Sequence, residues 1–430
     1  MKKYLIETYG CQMNTAESNA IETLLRGRGL ESTDNPEEAD AVIINTCSVR
    51  KTAENRIWGR LGFYRAIKKK RPLTLVVTGC MASRMKDEMK REAPFVDFVA
   101  TNEEKDRIAD YIAGESILSD NKYNFLTSYY KEGEFSSYIP IMNGCNNFCS
   151  YCIVPYVRGR EMSRSVESII EEVKFLESRN VREVTLLGQN VNSYSSTYKG
   201  EAVDFPRLLE IITPYMHNIL WVRFESPHPK DFSSHLIDVI ATNEKVSSHI
   251  HLPMQSGNTR ILTLMNRHTT REKFLSLVED MYSRIPGLTL STDVIVGFPT
   301  ETQAEYEDTL SMMDAMNPSE AFMYYYNPRE GTRAASMDGQ IDETTKKERL
   351  ENLINLQFER QKRIREHALP LTVTAIITTE SRDDRERYLC RDEHNYYYSI
   401  EPLGKHNAGD VVRLKAGVLQ GNTFRGVEIE

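Results

Sequence analysis

Apolar and polar positions along the 430 residues fall into three successive regimes. Over residues 2–113, short apolar runs alternate with stretches of helical period. KYLIETYG (3–10), ADAVIIN (39–45), LTLVVTG (73–79) and VDFVA (96–100) read as strands. AIETLLRGRGL (20–30), VRKTAENRIWGRLGFYRAIKK (49–69), a segment near 82–92 and a polar stretch from 103 read as helices. Strands alternating with helices predict a doubly wound parallel sheet. Residues 114–137 carry no clear period and read as a linker. A second alternating series follows, with strands at YIPIMNG (138–144), EVTLLGQ (183–189), LWVRFE (220–225), SSHIHL (247–252), LTLSTDVIVG (288–297) and AFMYYY (321–326). Helical segments such as 165–179 and 270–285 lie between them. Six such units predict a partial (β/α)6 barrel whose working mouth is at the strand carboxyl ends. A long charged helix over 344–369 closes the series. Beyond Pro370, five short strands in about 60 residues predict a small β-barrel. The expected domains are 1–113, a linker 114–137, a barrel with its terminal helix over 138–369, and a small barrel over 370–430.

Charge and composition narrow the function. The net charge of −8 argues against non-specific nucleic-acid binding by the whole surface. Basic material is local: KKKR (68–71), Arg158, Arg160 and Arg164, and the helix with Arg360, Lys362, Arg363 and Arg365. These are the candidate phosphate contacts. No apolar run approaches the ~20 residues needed to cross a bilayer. The start, MKKYLIETYGCQMN, has too short an apolar stretch for a signal peptide. A cytoplasmic protein with no membrane association is expected, and its seven cysteines are not a disulfide framework.

The cysteines carry the chemistry. Three strands end in YGC (9–11), NTC (45–47) and TGC (78–80), placing Cys11, Cys47 and Cys80 on one sheet edge, where ligand crevices form. One such cysteine is ordinarily a small buried hydrophobe; three at equivalent places read as metal ligands. NGCNNFCSYCIVPYVRGRE (143–161) then holds Cys145, Cys149 and Cys152 as Cys-x3-Cys-x2-Cys. A structural zinc site needs four protein ligands, whereas three close thiolates suit a 4Fe–4S cluster with one iron left for a small molecule. Cys390 has no ligand partner and reads as structural.

That spacing, with Tyr151 before the last cysteine, resembles the radical S-adenosylmethionine (SAM) signature. Nearly the whole chain resembles the radical SAM methylthiotransferases, through YGCQMN (9–14), NTCSVR (45–50), GCMASR (79–84), GCNNFCSYCIVPYVRGRE (144–161), LLGQNVNSY (186–194), HLPMQSGN (251–258), MNRHTTREKF (265–274) and DVIVGFPTET (293–302). Its first motifs and RFESPHP (223–229) look most like the branch acting on N6-isopentenyladenosine beside the tRNA anticodon. The resemblance implies a radical SAM cluster on Cys145, Cys149 and Cys152, and an auxiliary 4Fe–4S cluster on Cys11, Cys47 and Cys80 that carries sulfur. SAM would be cleaved to a 5′-deoxyadenosyl radical, and a methylthio group would replace the hydrogen on carbon 2 of the adenine. Tyr151, Gly188, Gln189, Glu225 and Gly297 are the implied SAM contacts. No side chain is an evident general acid or base; His228 and His251 are as readily structural. The terminal module resembles a TRAM domain, an RNA-binding barrel, mainly through GNTFRGVEI (421–429). Of Tyr396, Tyr397 and Tyr398, candidates for base stacking, at least one must face the core. The implied partners are the tRNA anticodon stem-loop, SAM and an unidentified electron donor, with the protein a monomer. The rival readings are threonylcarbamoyl-adenosine in tRNA or a ribosomal-protein aspartate as substrate and, from another class, a non-catalytic iron–sulfur RNA-binding protein.

Overall fold

The computed structural model describes residues 2–48, 51–115, 123–127, 130, 133–381 and 386–430. Within the expected linker, 116–122, 128–129 and 131–132 lie outside the described residues, as do the first two positions of the expected helix 49–69. The chain divides into two compact units, one of Met1–Lys131, Tyr138–Asn146 and Ile153–Arg164, the other of Glu132–Ser137, Asn147–Cys152 and Ser165–Glu430.

The first unit is the doubly wound domain. Its all-parallel sheet has the order Glu31–Ser32, Lys3–Thr8, Ala41–Thr46, Thr74–Gly79, Phe98–Val99. One face buries Leu5, Val42, Ile44, Leu75 and Val77 with Ile57, Leu61 and Tyr64 of the helix Lys51–Lys68. The other buries Tyr4, Ile43 and Val76 with Ile21 and Leu25 of Gln12–Gly27 and Ile108 and Ile112 of Arg107–Ala113. Burial on both faces is why the central strands read as unbroken apolar runs. The strand order reverses between Lys3–Thr8 and Ala41–Thr46, and ligands of such sheets bind outside the carboxyl ends at that point. The first helix begins at Gln12, eight residues before the apolar period, and the expected helix near 82–92 comes as Cys80–Arg84 and Lys86–Glu92.

Residues 136–325 supply the six predicted barrel strands in two three-stranded sheets. One has the order Trp221–Phe224, Glu183–Leu187, Ser136–Pro140, the other the parallel order His249–His251, Thr289–Val296, Glu320–Tyr325. A single bridge, Val222 to Val246, joins the end of the first to the start of the second. A polar hairpin, Ser195–Tyr198 with Glu201–Asp204, was not expected. The helix Glu343–Ala368 packs on the last strand. Beyond it, Leu371–Glu380, Tyr388–Asp392, Tyr397–Glu401, Val411–Gln420 and Thr423–Ile429 close the five-stranded small barrel. Cys390 is fully buried in its core, where burial pushes the thiol pKa up to about 12. Tyr396 and Tyr398 pack inside and only Tyr397 faces out.

The turn after Tyr388–Asp392 is fastened beneath the larger barrel, at the amino-terminal ends of its strands. Arg223 donates to the carbonyls of Asp392 (2.7 Å) and Glu393 (2.8 Å) and to Glu183 Oε2 (2.6 Å). Arg391 pairs with the other oxygen of Glu183, and Ser247 Oγ donates to the Glu393 carbonyl at 2.7 Å.

Candidate metal and cofactor centres

In the first unit, the register Thr8 to Asn45 and Thr46 to Gly79 brings three strand ends level, with Cys11, Cys47 and Cys80 just past them. Two glycines make the approach possible. Gly10, at φ +128°, would put a Cβ 3.1 Å from Cys47 Sγ, and Gly79, at φ +94°, would put one 2.3 Å from the Thr46 carbonyl. Asn14, buried in the first turn of Gln12–Gly27, ties the loops together: its Nδ2 donates to the carbonyls of Tyr9 (2.8 Å) and Thr46 (3.0 Å), and its Oδ1 lies 4.0 Å from Cys11 Sγ. Cys80 packs against Ile153 and Val157. Among the described residues, no three or more His, Cys, Asp and Glu side chains are arranged to hold a single metal ion. Cluster thiolates instead bind separate irons, and an all-sulfur donor set on one sheet edge fits such a cluster.

In the second unit, the loop bearing Cys149 and Cys152 is pinned on all sides. Ser150 donates through N to the Met265 carbonyl (2.9 Å) and through Oγ to that of Leu264 (2.8 Å), and its own carbonyl accepts from Ala334 N (2.7 Å). Asn266 Nδ2 donates to the carbonyls of Asn147 and Phe148. Tyr151 sits against Ile261, Met265, Phe298 and Tyr326. Arg267, buried, brings Nη1 within 3.7 Å of Cys149 Sγ while Nη2 holds the Pro253 carbonyl. The guanidinium places a fixed positive charge beside one of the three candidate ligands. The motif MNRHTT gives Arg267 no role by itself, because nothing in the sequence links it to a cysteine 118 positions earlier.

The expected SAM contacts follow three barrel strands at one edge: Gly188 and Gln189 after Glu183–Leu187, Glu225 after Trp221–Phe224, and Gly297 after Thr289–Val296. Burial pushes the Glu225 carboxyl up. At Gly297, φ +69°, the space for a Cβ is taken by Lys346 Cγ at 2.5 Å, so this glycine first serves the approach of the last helix. Alternate residues of two adjacent strands make a polar series. Thr289 Oγ1 is 3.0 Å from His249 Nδ1, Ser291 Oγ is 3.2 Å from His249 Nε2 and 3.0 Å from His251 Nδ1, and Asp293 Oδ2 is 3.3 Å from His251 Nε2. Burial lowers the proton affinity of His251, but Asp293 and then Glu225 raise it above the ordinary imidazole value. His228 is held neutral, its pKa pushed down to about 2 by burial, with Nδ1 accepting from Lys230 N.

Several candidate RNA contacts are corrected. Arg158, Arg164, Arg360 and Arg365 are buried. Arg158 is bound to Glu17, Arg360 to Asp314 and Arg365 to Asn422, so these cations are not offered to phosphates. Lys69, Lys70, Arg160, Lys362 and Arg363 are exposed.

A partial barrel whose three-cysteine loop follows its first strand defines a radical SAM protein. The Radical SAM superfamily matches residues 139–313, and the Uncharacterized protein family UPF0004 matches residues 3–101. Among solved structures, the radical SAM methyltransferase TsrM from Kitasatospora setae shares this fold at TM-score 0.57 and 14% identity, over 78% of this chain and 77% of that one. The cobalamin-dependent radical SAM enzyme OxsB does so at 0.52 and 10%, over 84% and 56%. The tRNA-2-methylthio-N(6)-dimethylallyladenosine synthase of Treponema denticola is 40% identical over 98% of this chain and 99% of its own length. The protein so named in Bacteroides fragilis is 40% identical over 100% and 96%. The chain belongs to this family of radical SAM methylthiotransferases. Membership in the superfamily implies SAM and a 4Fe–4S cluster as cofactors. No helix among the described residues is long and apolar enough to cross a membrane.

Proposed function

We propose that the protein replaces the hydrogen on carbon 2 of N6-isopentenyladenosine (dimethylallyladenosine), beside the anticodon of tRNA, with a methylthio group. The observation that carries this reading is end-to-end similarity to relatives of that name, extending through both cysteine-bearing regions and the terminal barrel. Cys145, Cys149 and Cys152 would hold the radical SAM cluster, and Cys11, Cys47 and Cys80 an auxiliary 4Fe–4S cluster. Bound there, the two groups and SAM supply one-electron cleavage of SAM and the sulfur to be transferred, the difficult part of the chemistry.

The chain's own residues bind and orient. Arg267 lends positive charge to Cys149, and the bonds with Met265, Leu264, Asn266 and Ala334 fix the loop. Preorganisation of this kind lowers the entropic part of a barrier. Gln189 and Glu225 offer polar partners to SAM at the strand ends, with Gly188 allowing close approach and Tyr151 setting the loop's height. Carbon 2 is reachable only on an unstacked base, as in an anticodon loop. The polypeptide works as three domains, 1–113, 138–369 and 370–430, joined by a linker over 114–137. It acts as a cytoplasmic monomer that receives electrons from a separate donor.

The test is mass spectrometry of nucleosides from tRNA incubated anaerobically with reconstituted protein, SAM and a reductant. The tRNA mixture should contain both isopentenyladenosine and threonylcarbamoyl-adenosine. A methylthio gain only on isopentenyladenosine is expected. Gain only on the other nucleoside would overturn the substrate, and no 5′-deoxyadenosine at all would overturn the enzyme reading in favour of a scaffold.

A further inference from the structure

Beside Cys80, the first unit buries a charge cluster that the proposed reaction does not use. Arg158 grips Glu17 with both arms, Nη1 to Oε1 at 2.8 Å and Nη2 to Oε2 at 3.2 Å. The same nitrogens reach Asn143 Oδ1 (3.1 Å) and Asn14 Oδ1 (3.2 Å), the latter the amide that also faces Cys11. Lys105 pairs with Glu17 from another side. All three charged side chains are at most 6% exposed. Two cations therefore share one carboxylate in a sealed interior. Burial would raise the Glu17 carboxyl, yet Arg158 and Lys105 bring its pKa down to about 2, so it is ionised. Burial pulls Lys105 below the ordinary lysine value and Glu17 opposes that pull, and with Lys105 protonated the two cations on one carboxylate leave the cluster one unit positive.

An uncompensated buried charge is costly. A cluster held on the cysteine edge would supply the answering negative charge. Arg158 reaches that edge through Asn14, whose Oδ1 accepts from Arg158 Nη2 and faces Cys11 Sγ. Ile153 and Val157, on either side of the first turn of the helix that ends in Arg158, pack on Cys80 itself. An iron–sulfur cluster on three thiolates is a net anion and becomes more negative on reduction. A fixed positive charge beside it stabilises the reduced form more than the oxidised one.

We infer that Glu17, Lys105 and Arg158 form a positively charged wall that positions the Cys11–Cys47–Cys80 site electrostatically and raises the reduction potential of the cluster it holds. This rests on the reading of those cysteines as auxiliary-cluster ligands. The three residues are positioning residues, since they act through the cluster and not on the substrate.

The test uses the full chain with Cys145, Cys149 and Cys152 replaced by Ala, so that one cluster remains, reconstituted with iron and sulfide and titrated electrochemically by electron paramagnetic resonance. Arg158→Met and Lys105→Met each remove a positive charge and should shift the reduction equilibrium toward the oxidised cluster by tenfold or more, about 59 mV or more for one electron. Glu17→Gln adds net positive charge and should shift it the opposite way, while Arg158→Lys should stay near the parent. A purely structural role would not reverse sign between Glu17→Gln and the two methionine variants. Equal potentials in all variants, or shifts of one sign throughout, would overturn the inference. If Arg158→Met does not fold, Lys105→Met against Glu17→Gln decides alone. A parent chain that takes up no iron would instead refute the ligand reading on which the inference stands.

Discussion

Gly79→Ala is the sharpest perturbation of the cysteine edge, because its cost can be built up from two separate features. The residue lies at φ 94°, ψ −168°, a region that side chains other than hydrogen avoid, and holding alanine there costs about 1–3 kcal/mol. The added methyl would also stand 2.3 Å from the Thr46 carbonyl oxygen and 2.7 Å from the Thr46 nitrogen. Both are backbone atoms of the neighbouring strand and cannot swing aside. Relieving the clash means parting Ala41–Thr46 from Thr74–Gly79, a further ~1–3 kcal/mol by analogy with overpacked cores. Together these make roughly 2–6 kcal/mol, large beside the ~5–15 kcal/mol that holds a domain folded. The same parting separates Cys47 from Cys80. The expected result is a melting transition lower by roughly 10 °C or more and loss of about four irons per chain on reconstitution, with SAM cleavage to 5′-deoxyadenosine retained. Gly59→Ala is the control: it lies in a helix interior with open space where the methyl would stand, and alanine there should stabilise by about 0.5–1 kcal/mol. A Gly79→Ala protein with parental melting and parental iron content would refute the reasoning.

Other outcomes follow from the same geometry. Cys149→Ala should abolish SAM cleavage, whereas Cys47→Ala should keep the cleavage and lose sulfur insertion; equal loss of 5′-deoxyadenosine in two folded variants would contradict the division of labour. Glu17, with its pKa lowered to about 2 from an ordinary value near 4.5, contributes stability that is present above pH ~4.5 and lost as pH falls toward 2. That amounts to roughly 3 kcal/mol, visible as an acid limb of the thermal-stability profile that Glu17→Gln should flatten. Arg223→Met removes one donor each from the Asp392 and Glu393 carbonyls and from Glu183, which keep Asn395, Ser247 and Arg391; losing charge-assisted hydrogen bonds of this kind costs about 1.5–3 kcal/mol. Limited proteolysis should then release the C-terminal barrel early, and unchanged protease resistance would count against the clamp.

Much of this arrangement is legible in the chain, and the gaps have physical causes. The strands at 41–46 and 74–79 announce themselves because both faces of the sheet are covered, and the five terminal strands because they alternate around a barrel core. The amino-terminal half of Gln12–Gly27 escapes notice because the face it buries is polar. Asn14, Glu17 and Ser18 point into the site network where a leucine would normally mark a helix. The hairpin at 195–204 lacks an apolar side to betray it. The arginines at 158 and 360 look like phosphate contacts because their partners, Glu17 and Asp314, are 141 and 46 positions away. A charge run shows that cations exist, not which carboxylate has claimed them. Arg267 is hidden for the same reason.

The clamp between the two barrels of the second unit has one more consequence. Glu183, Ser247 and the guanidinium of Arg223 hold the turn at 392–393 from below, at the strand ends opposite those followed by Gln189, Glu225 and Gly297. A module bolted at that end cannot swing across the opening. It behaves as the fixed jaw of a caliper. On the proposed function, tRNA held by this module would be presented at a set span from the opening, and the choice of nucleotide would be a matter of length along the bound strand as well as of base identity.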